Sequence, residues 1–279
     1  MGPAVIRAAI IGVGGRMGQA LVRAASESTD VVITAAVTSA NSPHLGKDAS
    51  ELAGVSKVPG GGKLAGAGGQ RVTITADLAA ALAQADIAID FSNAAATKSH
   101  LAACRQARKP LLIGTTGFSA DAELEAAASD IPLLVPPNTS LGVTLLIELV
   151  RQAAAALPPG FDIEIIEAHH RMKKDAPSGT ALALGKAAAE GRGLPPEDVR
   201  KEGAARQGNE IGYAVVRAGD IVGEHSVLFA GMGESLTLSH RATDRAIFAR
   251  GALQAAVWLQ ARAPGRYFMR DLFTHKSGS

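Results

Sequence analysis

Hydrophobic and polar positions along the first half of the chain follow two alternating patterns. Short runs rich in Val, Ile and Leu predict strands, and alanine-rich stretches between them have the length of crossover helices. This alternation predicts a doubly wound α/β domain with a parallel sheet. The predicted strands are Val5–Val13, Val31–Val37, Val72–Thr75, Asp86–Ser92, Pro110–Thr116 and Ile131–Val135, and the predicted helices are Arg16–Ala25, Asp77–Ala85, Ala94–Ala107 and Ser119–Ala128.

The pattern changes after Asn138. A long apolar-striped helix leads into a strand, a second helix and three consecutive extended runs, which together predict an α+β domain with an antiparallel or mixed sheet. Alternation from Ser235 to Ser239 predicts one wet face and one face buried by helices of its own domain or by another subunit. These elements are Gly142–Leu157, Phe161–Ala168, a helix from about Ser178, Ile211–Ala218, Ile221–Ala230 and Ser235–Ala242.

The last strongly helical stretch, Ala246–Ala263, has the character of the first half and indicates that the chain returns to the first domain. We therefore predict one domain made of residues 1–138 and 245–279, and a second made of residues 139–244.

Composition narrows the classes of protein that fit. The chain has 279 residues, and its 28 Lys and Arg against 26 Asp and Glu give a net charge of +2. No global field attracts nucleic acid or an anionic membrane, and no apolar run approaches the length of a membrane span. Three glycines interrupt the apolar stretch near the N-terminus, so we expect no signal peptide and a cytoplasmic protein. The single cysteine, Cys104, is predicted to be a small core residue.

A glycine-rich turn follows the first predicted strand and opens the first helix. Its backbone N–H groups can face a pyrophosphate without an intervening side chain. The third glycine of the usual Gly-x-Gly-x-x-Gly spacing is displaced from position 17 to Gly18, so a plain strand-to-helix turn is the alternative. An acidic ribose ligand is expected at the end of the second strand, where Thr38 and Ser39 stand instead. The turn consists of Gly12, Val13, Gly14, Gly15, Arg16, Met17 and Gly18.

Two more loops follow predicted strands five and six. Each by itself has the composition of an ordinary turn. Because the carboxyl ends of parallel strands share one edge of a sheet, all three loops are predicted to meet at a cofactor crevice. The two loops contain Gly114, Thr115, Thr116 and Gly117, and Pro136, Pro137, Asn138 and Thr139.

The segment from Glu167 to Leu182 is the richest in chemistry. It leaves a strand, gathers two imidazoles and three cationic side chains, and enters a helix whose start is marked by Pro177, Ser178 and Thr180. The free amides of that start, with Lys173 and Lys174, favour binding of a carboxylate or phosphate. A histidine beside a lysine can also move protons near neutral pH. The alternative is a solvated strand exit, and no residues at chelating spacing indicate a metal.

The other histidines are predicted to be structural rather than catalytic, and the glycine-rich stretch Gly54–Gln70 to be a surface loop without assigned chemistry. No nucleophile elbow, Walker loop or basic-aromatic stripe supports a hydrolase, kinase or nucleic-acid-binding reading. These histidines are His44, His100, His225, His240 and His275.

The segment Glu164–Ala181 resembles, across its whole length, the signature of the 4-hydroxy-tetrahydrodipicolinate reductase (dihydrodipicolinate reductase) family of lysine and diaminopimelate biosynthesis. Gly12–Gly18, Gly114–Phe118 and Arg217–His225 agree with the same family in order and spacing, and the resemblance extends to Met269-Arg270-Asp271. It implies a Rossmann-like nucleotide-binding domain, an α+β substrate and tetramerisation domain with a mixed sheet, and a homotetramer.

The resemblance also implies roles for individual residues. His169 becomes the proton donor and acceptor, and Lys173 the second proton donor. His170, Gly179 and Thr180 hold the carboxylates of a cyclic dicarboxylate substrate. The cofactor, NADH or NADPH, is held by Gly12 to Met17, Gly114 to Thr116, and Pro136 to Thr139.

The chain departs from the family pattern at two positions. Thr38 and Ser39 replace an acidic residue or an acidic-Arg pair, and Thr139 stands where an aromatic residue is frequent. Arg16 is the nearest fixed cation, and we expect the protein to use both NADH and NADPH. The alternative is that Lys47 or the glycine-rich loop contacts the ribose and sets the cofactor preference. Two rival functions are an amino-acid dehydrogenase and a catalytically silent nucleotide sensor.

Overall fold

The computed structural model describes residues 5–55, 71–118, 120–195, 199–200, 206 and 210–274. It divides into two compact units: unit 1 comprises Met1–Thr139 and Phe248–Ser279, and unit 2 comprises Ser140–Ile247. Most of the predicted glycine-rich loop (residues 56–70), Ser119 and His275 lie outside the described residues. Among the helices that are described, none has the length and apolar character needed to cross a bilayer.

Unit 1 contains a parallel sheet flanked by helices, with elements numbered along the whole chain. The strands are β1 (Ile6–Ile11), β2 (Val31–Val37), β3 (Ile74–Thr75), β4 (Ile87–Asp90), β5 (Leu111–Ile113), β6 (Pro132–Leu134) and β12 (Gly265–Tyr267). The helices are α1 (Arg16–Ser26), α2 (Ala49–Leu52), α3 (Leu78–Ala83), α4 (Ala94–Gln106), α5 (Asp121–Ala128), α8 (Ala246–Gln260) and α9 (Asp271–Thr274). The strand order is β12-β6-β5-β4-β1-β2-β3.

The central strands of this sheet are apolar on both faces. Ile10, Ile89 and Leu112 are fully buried, as expected when helices cover both sides of a parallel sheet. Cys104 of α4 lies in the same core with no exposed surface, and burial raises the pKa of its thiol to about 12. The prediction that Cys104 is a core residue is confirmed.

Capping side chains fix where several helices begin. The Asp77 carboxylate accepts the Ala80 N–H at 2.9 Å, and the side-chain Oδ1 of Asn93 accepts the Ala96 N–H at 3.0 Å. Because all strand pairs in this sheet are parallel, the loops that follow β1, β2, β4, β5 and β6 leave from one edge.

Unit 2 contains a mixed sheet and two long helices. Its elements are α6 (Leu141–Ala156), β7 (Asp162–His169), α7 (Gly179–Arg192), β8 (Val199–Arg200), β9 (Ile211–Arg217), β10 (Gly223–Gly231) and β11 (Glu234–Ala242). The order is β11-β10-β7-β9-β8, with β10 antiparallel to both neighbours and β9 parallel to both of its own. The predicted α+β architecture with a mixed sheet is confirmed.

One face of this mixed sheet packs against α6 and α7. Ile165 and Phe229 from the sheet and Leu184 from α7 belong to one buried cluster. On the opposite face, Ile166 and Val216 are 40% and 45% exposed. Period-two alternation along β7 separates the two environments.

The structure differs from the predicted elements at a few points. The alternation predicted for Ser235–Ser239 is only partial, because β11 is an edge strand: Leu238 is half-buried but Leu236 is 41% exposed. The pattern did not predict β12 or the one-turn helices α2 and α9. These elements are too short for hydrophobic periodicity to identify them.

Candidate functional site

The glycine turn after β1 requires glycine at two positions for different reasons. Gly12 has a φ of +86°, and a Cβ there would lie 2.5 Å from the Phe91 carbonyl oxygen. A Cβ on Gly18 would lie 2.3 Å from the Gly12 carbonyl oxygen. Gly18 therefore provides the close contact between helix and turn that the third fingerprint glycine provides elsewhere, and this explains why Met17 is tolerated.

A cavity of about 710 Å³ lies at the carboxyl edge of the parallel sheet in unit 1. Its walls include the glycine turn, the segment after β2 and the start of α4. Among the described residues that line it, none is Asp, Glu, Lys or Arg. The polar and glycine residues on its walls include Gly14, Gly15, Thr38, Ser39, His44, Ser92, Asn93 and His100.

A smaller cavity of about 180 Å³ joins the other predicted cofactor loops. Met17 of the first loop, Gly114 of the second and Pro136 to Thr139 of the third all line it, together with Phe248. The three loops therefore meet within unit 1. At Gly114 a Cβ would lie 2.1 Å from the Phe91 ring, so this backbone runs directly along the aromatic side chain.

Several of the predicted cofactor residues have side chains that are already engaged. The Thr115 hydroxyl is 3.3 Å from a carboxylate oxygen of the buried Asp90, which also bonds His100 at 2.9 Å. The Thr139 hydroxyl donates to the Phe248 carbonyl at 2.8 Å. Val13 is buried and Arg16 is exposed. At Thr115, Thr139 and Val13, backbone groups rather than side-chain tips are therefore the available contacts.

In unit 2, a buried carboxylate organises the end of β7. Glu167 is 1% exposed, and one of its oxygens lies 2.5 Å from His169 Nδ1. Arg217 of β9 donates to both carboxylate oxygens at 2.8 Å, and the Ser178 backbone N–H donates to one of them at 3.1 Å. Residues two apart on a strand share a face, which brings Glu167 and His169 together. The hydrogen bond assigns the proton of neutral His169 to Nδ1 and leaves Nε2 for proton exchange.

The surroundings lower the pKa of both members of this pair. Burial lowers the pKa of His169, and the charges of Lys173 and Arg217 lower it further, while Glu167 opposes them. Burial alone would raise the pKa of Glu167, but hydrogen bonds from Arg217 and His169 outweigh it and keep its pKa below the ordinary value. His169 thus sits beside a stable carboxylate anion.

A second buried imidazole, that of His225, packs against His169. The His225 ring meets the His169 ring edge-on, with centroids 5.1 Å apart, and its Nε2 lies 3.1 Å from the Ser178 hydroxyl. Burial lowers the pKa of His225 to about 4, so it remains neutral at physiological pH. A Cβ on Gly223 would come within 3.1 Å of His169 Nε2, so the glycine leaves this nitrogen unobstructed.

The loop between β7 and α7 carries the remaining predicted substrate residues. Lys173 Nζ lies 2.9 Å from both carboxylate oxygens of Asp175, which lowers the pKa of Asp175. His170 is half-buried. Ser178 caps α7 by accepting the Ala181 N–H at 3.2 Å, and a Cβ on Gly179 would meet open space. The first turn of α7 is therefore accessible to an anion.

Sequence reasoning did not place four residues that the structure brings to the candidate sites: Glu167, Arg217, His225 and His44. The spacing of Glu167 and His169 on one strand could have revealed their pairing. By contrast, Arg217 and His225 are distant in sequence from the Glu167–His169 pair that they contact, and His44 is distant from the glycine turn that it approaches, so no local pattern indicates these contacts. In the part of the chain that the structure describes, no group of three or more potential ligands is arranged to hold a metal ion.

Comparison with known proteins covers both units. Residues 6–139 match the family model described as "Dihydrodipicolinate reductase, N-terminus", and residues 142–273 match "Dihydrodipicolinate reductase, C-terminus". The chain is 49% identical to the 4-hydroxy-tetrahydrodipicolinate reductase of Alkalilimnicola ehrlichii, over 95% of this chain and 98% of that protein. It is 48% identical to 4-hydroxy-tetrahydrodipicolinate reductase 1 of Mesorhizobium japonicum, over 94% of this chain and 95% of that protein.

A solved structure of this family is also similar to the chain. Dipicolinate-bound dihydrodipicolinate reductase from Paenisporosarcina sp. TG-14 superposes with a TM-score of 0.71 at 26% identity, and the match covers 95% of this chain and 97% of that chain.

Proposed function

Because the chain belongs to the dihydrodipicolinate reductase family, we propose that it reduces 4-hydroxy-tetrahydrodipicolinate to tetrahydrodipicolinate with NADH or NADPH, using His169 and Lys173 as its proton-transfer residues. The cofactor supplies a hydride. The substrate loses water to form a conjugated cyclic imine, which accepts the hydride at carbon and then a proton. The observation that carries the assignment of roles is the buried Glu167–His169 pair beside the cationic loop that leads to α7.

Proton delivery follows from the geometry of that pair. The Glu167 carboxylate holds the proton of neutral His169 on Nδ1, so Nε2 is the nitrogen that exchanges a proton with the substrate. Asp175 holds the Lys173 ammonium by two contacts of 2.9 Å. From there Lys173 serves as the second proton donor and neutralises a substrate carboxylate.

The substrate is a ring with two carboxylates, and the chain is almost neutral overall, so recognition depends on local cations and amides. In this proposal the first turn of α7, with Gly179 and Thr180, binds one carboxylate through backbone N–H groups. His170 contributes a further donor. The dipicolinate named in the Paenisporosarcina structure is a ring dicarboxylate of the same kind, which supports this assignment.

Cofactor binding belongs to unit 1 in this proposal. The residues present fit a dinucleotide, because Gly14 and Gly15 line the adjoining cavity without side chains and that cavity is large enough for a nucleoside. Gly12 to Met17 hold the pyrophosphate, with the backbone N–H groups of Gly14, Arg16 and Met17 as donors. The N–H groups of Gly12 and Val13 donate to the Val37 carbonyl, and that of Gly15 donates to the Gly12 carbonyl. Gly114 to Thr116 and Pro136 to Thr139 hold the nicotinamide half through their backbone.

The test combines activity with binding. Purified protein should oxidise NADPH only in the presence of 4-hydroxy-tetrahydrodipicolinate, and pyridine-2,6-dicarboxylate should inhibit the reaction competitively. His169→Gln should lower turnover by about 10²-fold or more while NADPH affinity stays near that of the unmodified protein. His170→Gln, the matched control, should act mainly on KM for the substrate.

Two results would count against the proposal. Loss of NADPH affinity in His169→Gln as severe as the loss of turnover would show that the division of roles is wrong. Cofactor binding without any dicarboxylate-dependent oxidation would favour a nucleotide sensor, and oxidation of an amino acid instead would favour the dehydrogenase alternative.

We also propose that the chain assembles into a homotetramer through the open face of the mixed sheet. That face carries Ile166, Ala214, Val216 and Leu228, apolar side chains that α6 and α7 do not cover. Val216→Asp should shift the mass measured by light scattering to a smaller species. Met232→Asp, at an exposed Met in the turn between β10 and β11, is the control, and an equal shift in both variants would contradict the assignment.

A further inference from the structure

We infer that His44 is a specificity-determining residue for the adenosine ribose of the cofactor, where it favours the 2′-phosphate of NADPH. The inference rests on the proposed function and deepens it, because it concerns the cavity assigned to the cofactor. His44 had been predicted to be a structural loop residue. In the structure its side chain lines the 710 Å³ cavity of unit 1.

The position of the imidazole is what connects it to the ribose. A Cβ built on Gly14 would lie 2.9 Å from His44 Cδ2, 3.7 Å from His44 Nε2 and 3.6 Å from the Thr38 hydroxyl. The ring edge carrying Nε2 therefore lies beside the glycine turn, at a point that Thr38, the residue after β2, also approaches. In dinucleotide-binding folds the turn contacts the pyrophosphate, and the end of the second strand contacts the ribose 2′ position.

The hydrogen bonding of the ring indicates what it offers to a ligand. His44 Nδ1 is buried and has no hydrogen-bond partner among the described residues. Among these residues Nδ1 is without a partner in either tautomer, so we place the proton of the neutral ring on Nε2, where a ligand in the cavity can accept it. The Nε2–H group is thus a donor on the edge next to Gly14 and Thr38.

The cavity contains little else that discriminates between the two cofactors. No carboxylate among its described lining residues would repel a 2′-phosphate, and no Lys or Arg among them would attract one. Arg16 is exposed and is not one of the lining residues. The polar residues of the segment after β2 that line the cavity are Thr38, Ser39, Asn41, Ser42 and His44. Among them, His44 and Thr38 lie closest to the glycine turn and supply donors that suit phosphate oxygens.

The backbone holds His44 in this position before any ligand binds. The His44 N–H donates to the Ser42 hydroxyl at 3.2 Å, and the His44 carbonyl accepts the Lys47 N–H at 3.2 Å. The Gly46 N–H donates to the Ile74 carbonyl of β3 at 2.9 Å, and the Ile74 N–H donates to the Lys47 carbonyl at 2.9 Å. The segment is thus tied to β3, and the donor is preorganised for the ligand.

The test measures cofactor discrimination rather than activity alone. His44→Phe keeps a ring of similar size but removes the donor, and it should lower the NADPH-to-NADH ratio of kcat/KM by about tenfold, as expected for one hydrogen bond to a charged group at a half-exposed site. His44→Gln, which restores a side-chain N–H, should recover most of that ratio. Lys47→Gln removes a charge from the same segment outside the cavity wall and should change the ratio by less than about twofold.

A binding experiment without substrate separates this inference from the proposed function. Adenosine 2′,5′-bisphosphate should lose about tenfold more affinity than 5′-AMP in His44→Phe. If this difference appears in a protein that does not reduce the dicarboxylate, the proposed function is wrong and the role of His44 stands. Equal losses for both nucleotides and for both cofactors, or a change of ratio in Lys47→Gln but not in His44→Phe, would overturn the inference.

Discussion

Glu167→Gln tests whether the carboxylate next to His169 organises proton transfer. The wild-type carboxylate accepts the Nδ1 proton of His169 at 2.5 Å and is itself fixed by Arg217. An amide at this position keeps the shape but removes the charge, and it can present an N–H group to Nδ1. That contact would move the proton of neutral His169 to Nε2, the wrong tautomer for the proposed exchange.

The magnitude follows from the two interactions lost. A correctly held general acid contributes 10² to 10⁴ in rate, so we expect kcat to fall by about 10²-fold or more. Glu167 also raises the pKa of His169 against burial and the nearby cations, and the variant loses that contribution. The protonated imidazole then survives only at lower pH, so the decline of kcat/KM with rising pH should move to lower pH.

The assay is the initial rate of NADPH oxidation across a pH series, with thermal unfolding measured on the same samples. Glu164→Gln is the matched control, because it removes a carboxylate from the opposite face of the same strand. Activity within about threefold of the wild type and an unchanged pH profile in a folded Glu167→Gln protein would refute the reasoning. An equal fall of activity in Glu164→Gln would assign the effect to general damage of the strand.

Four further predictions address charge, stability and cofactor choice. Lys173→Met should lower turnover by about 10²-fold while the circular dichroism spectrum stays unchanged. Full activity in this variant would show that Lys173 is a solvated surface residue without a role in proton transfer. The pKa of His225 is about 4 in the folded protein and near 6.5 in the unfolded chain, so the unfolded chain binds more protons below pH 6.5. Measured by urea denaturation, the free energy of unfolding should therefore be about 2 kcal/mol lower at pH 5 than at pH 7 because of this group. His225→Gln should remove that difference. Arg108 follows the end of α4 and has a φ of 55°, so Arg108→Gly should raise the free energy of unfolding by about 0.5 to 1 kcal/mol, and a decrease would contradict the strain argument. We expect kcat/KM for NADH and NADPH to differ by less than about tenfold, and Ser39→Asp should shift the preference towards NADH; a wild-type difference of about a thousandfold would refute the first expectation.

Local pattern by itself predicted the fold class of both units. Alternation of apolar runs with alanine-rich stretches predicted the parallel sheet, because strands covered on both faces must be apolar throughout. The start of α7 was also predictable, since Ser178 has the residue type and position of an N-cap. The family resemblance then assigned His169 and Lys173 to chemistry, which composition and periodicity could not do.

Tertiary structure decided the contacts that join distant parts of the chain. Arg217 lies 50 residues along the chain from Glu167, whose carboxylate it binds, and the parallel pairing of β7 with β9 brings the two together. The edge-on contact of His225 with His169 depends in the same way on the antiparallel register of β10. His44 lines the 710 Å³ cavity of unit 1 and lies beside Gly14, in a segment that hydrogen bonds connect to β3. Sequence periodicity reports which side of an element is apolar, whereas these contacts depend on strand order and register, which long-range packing sets.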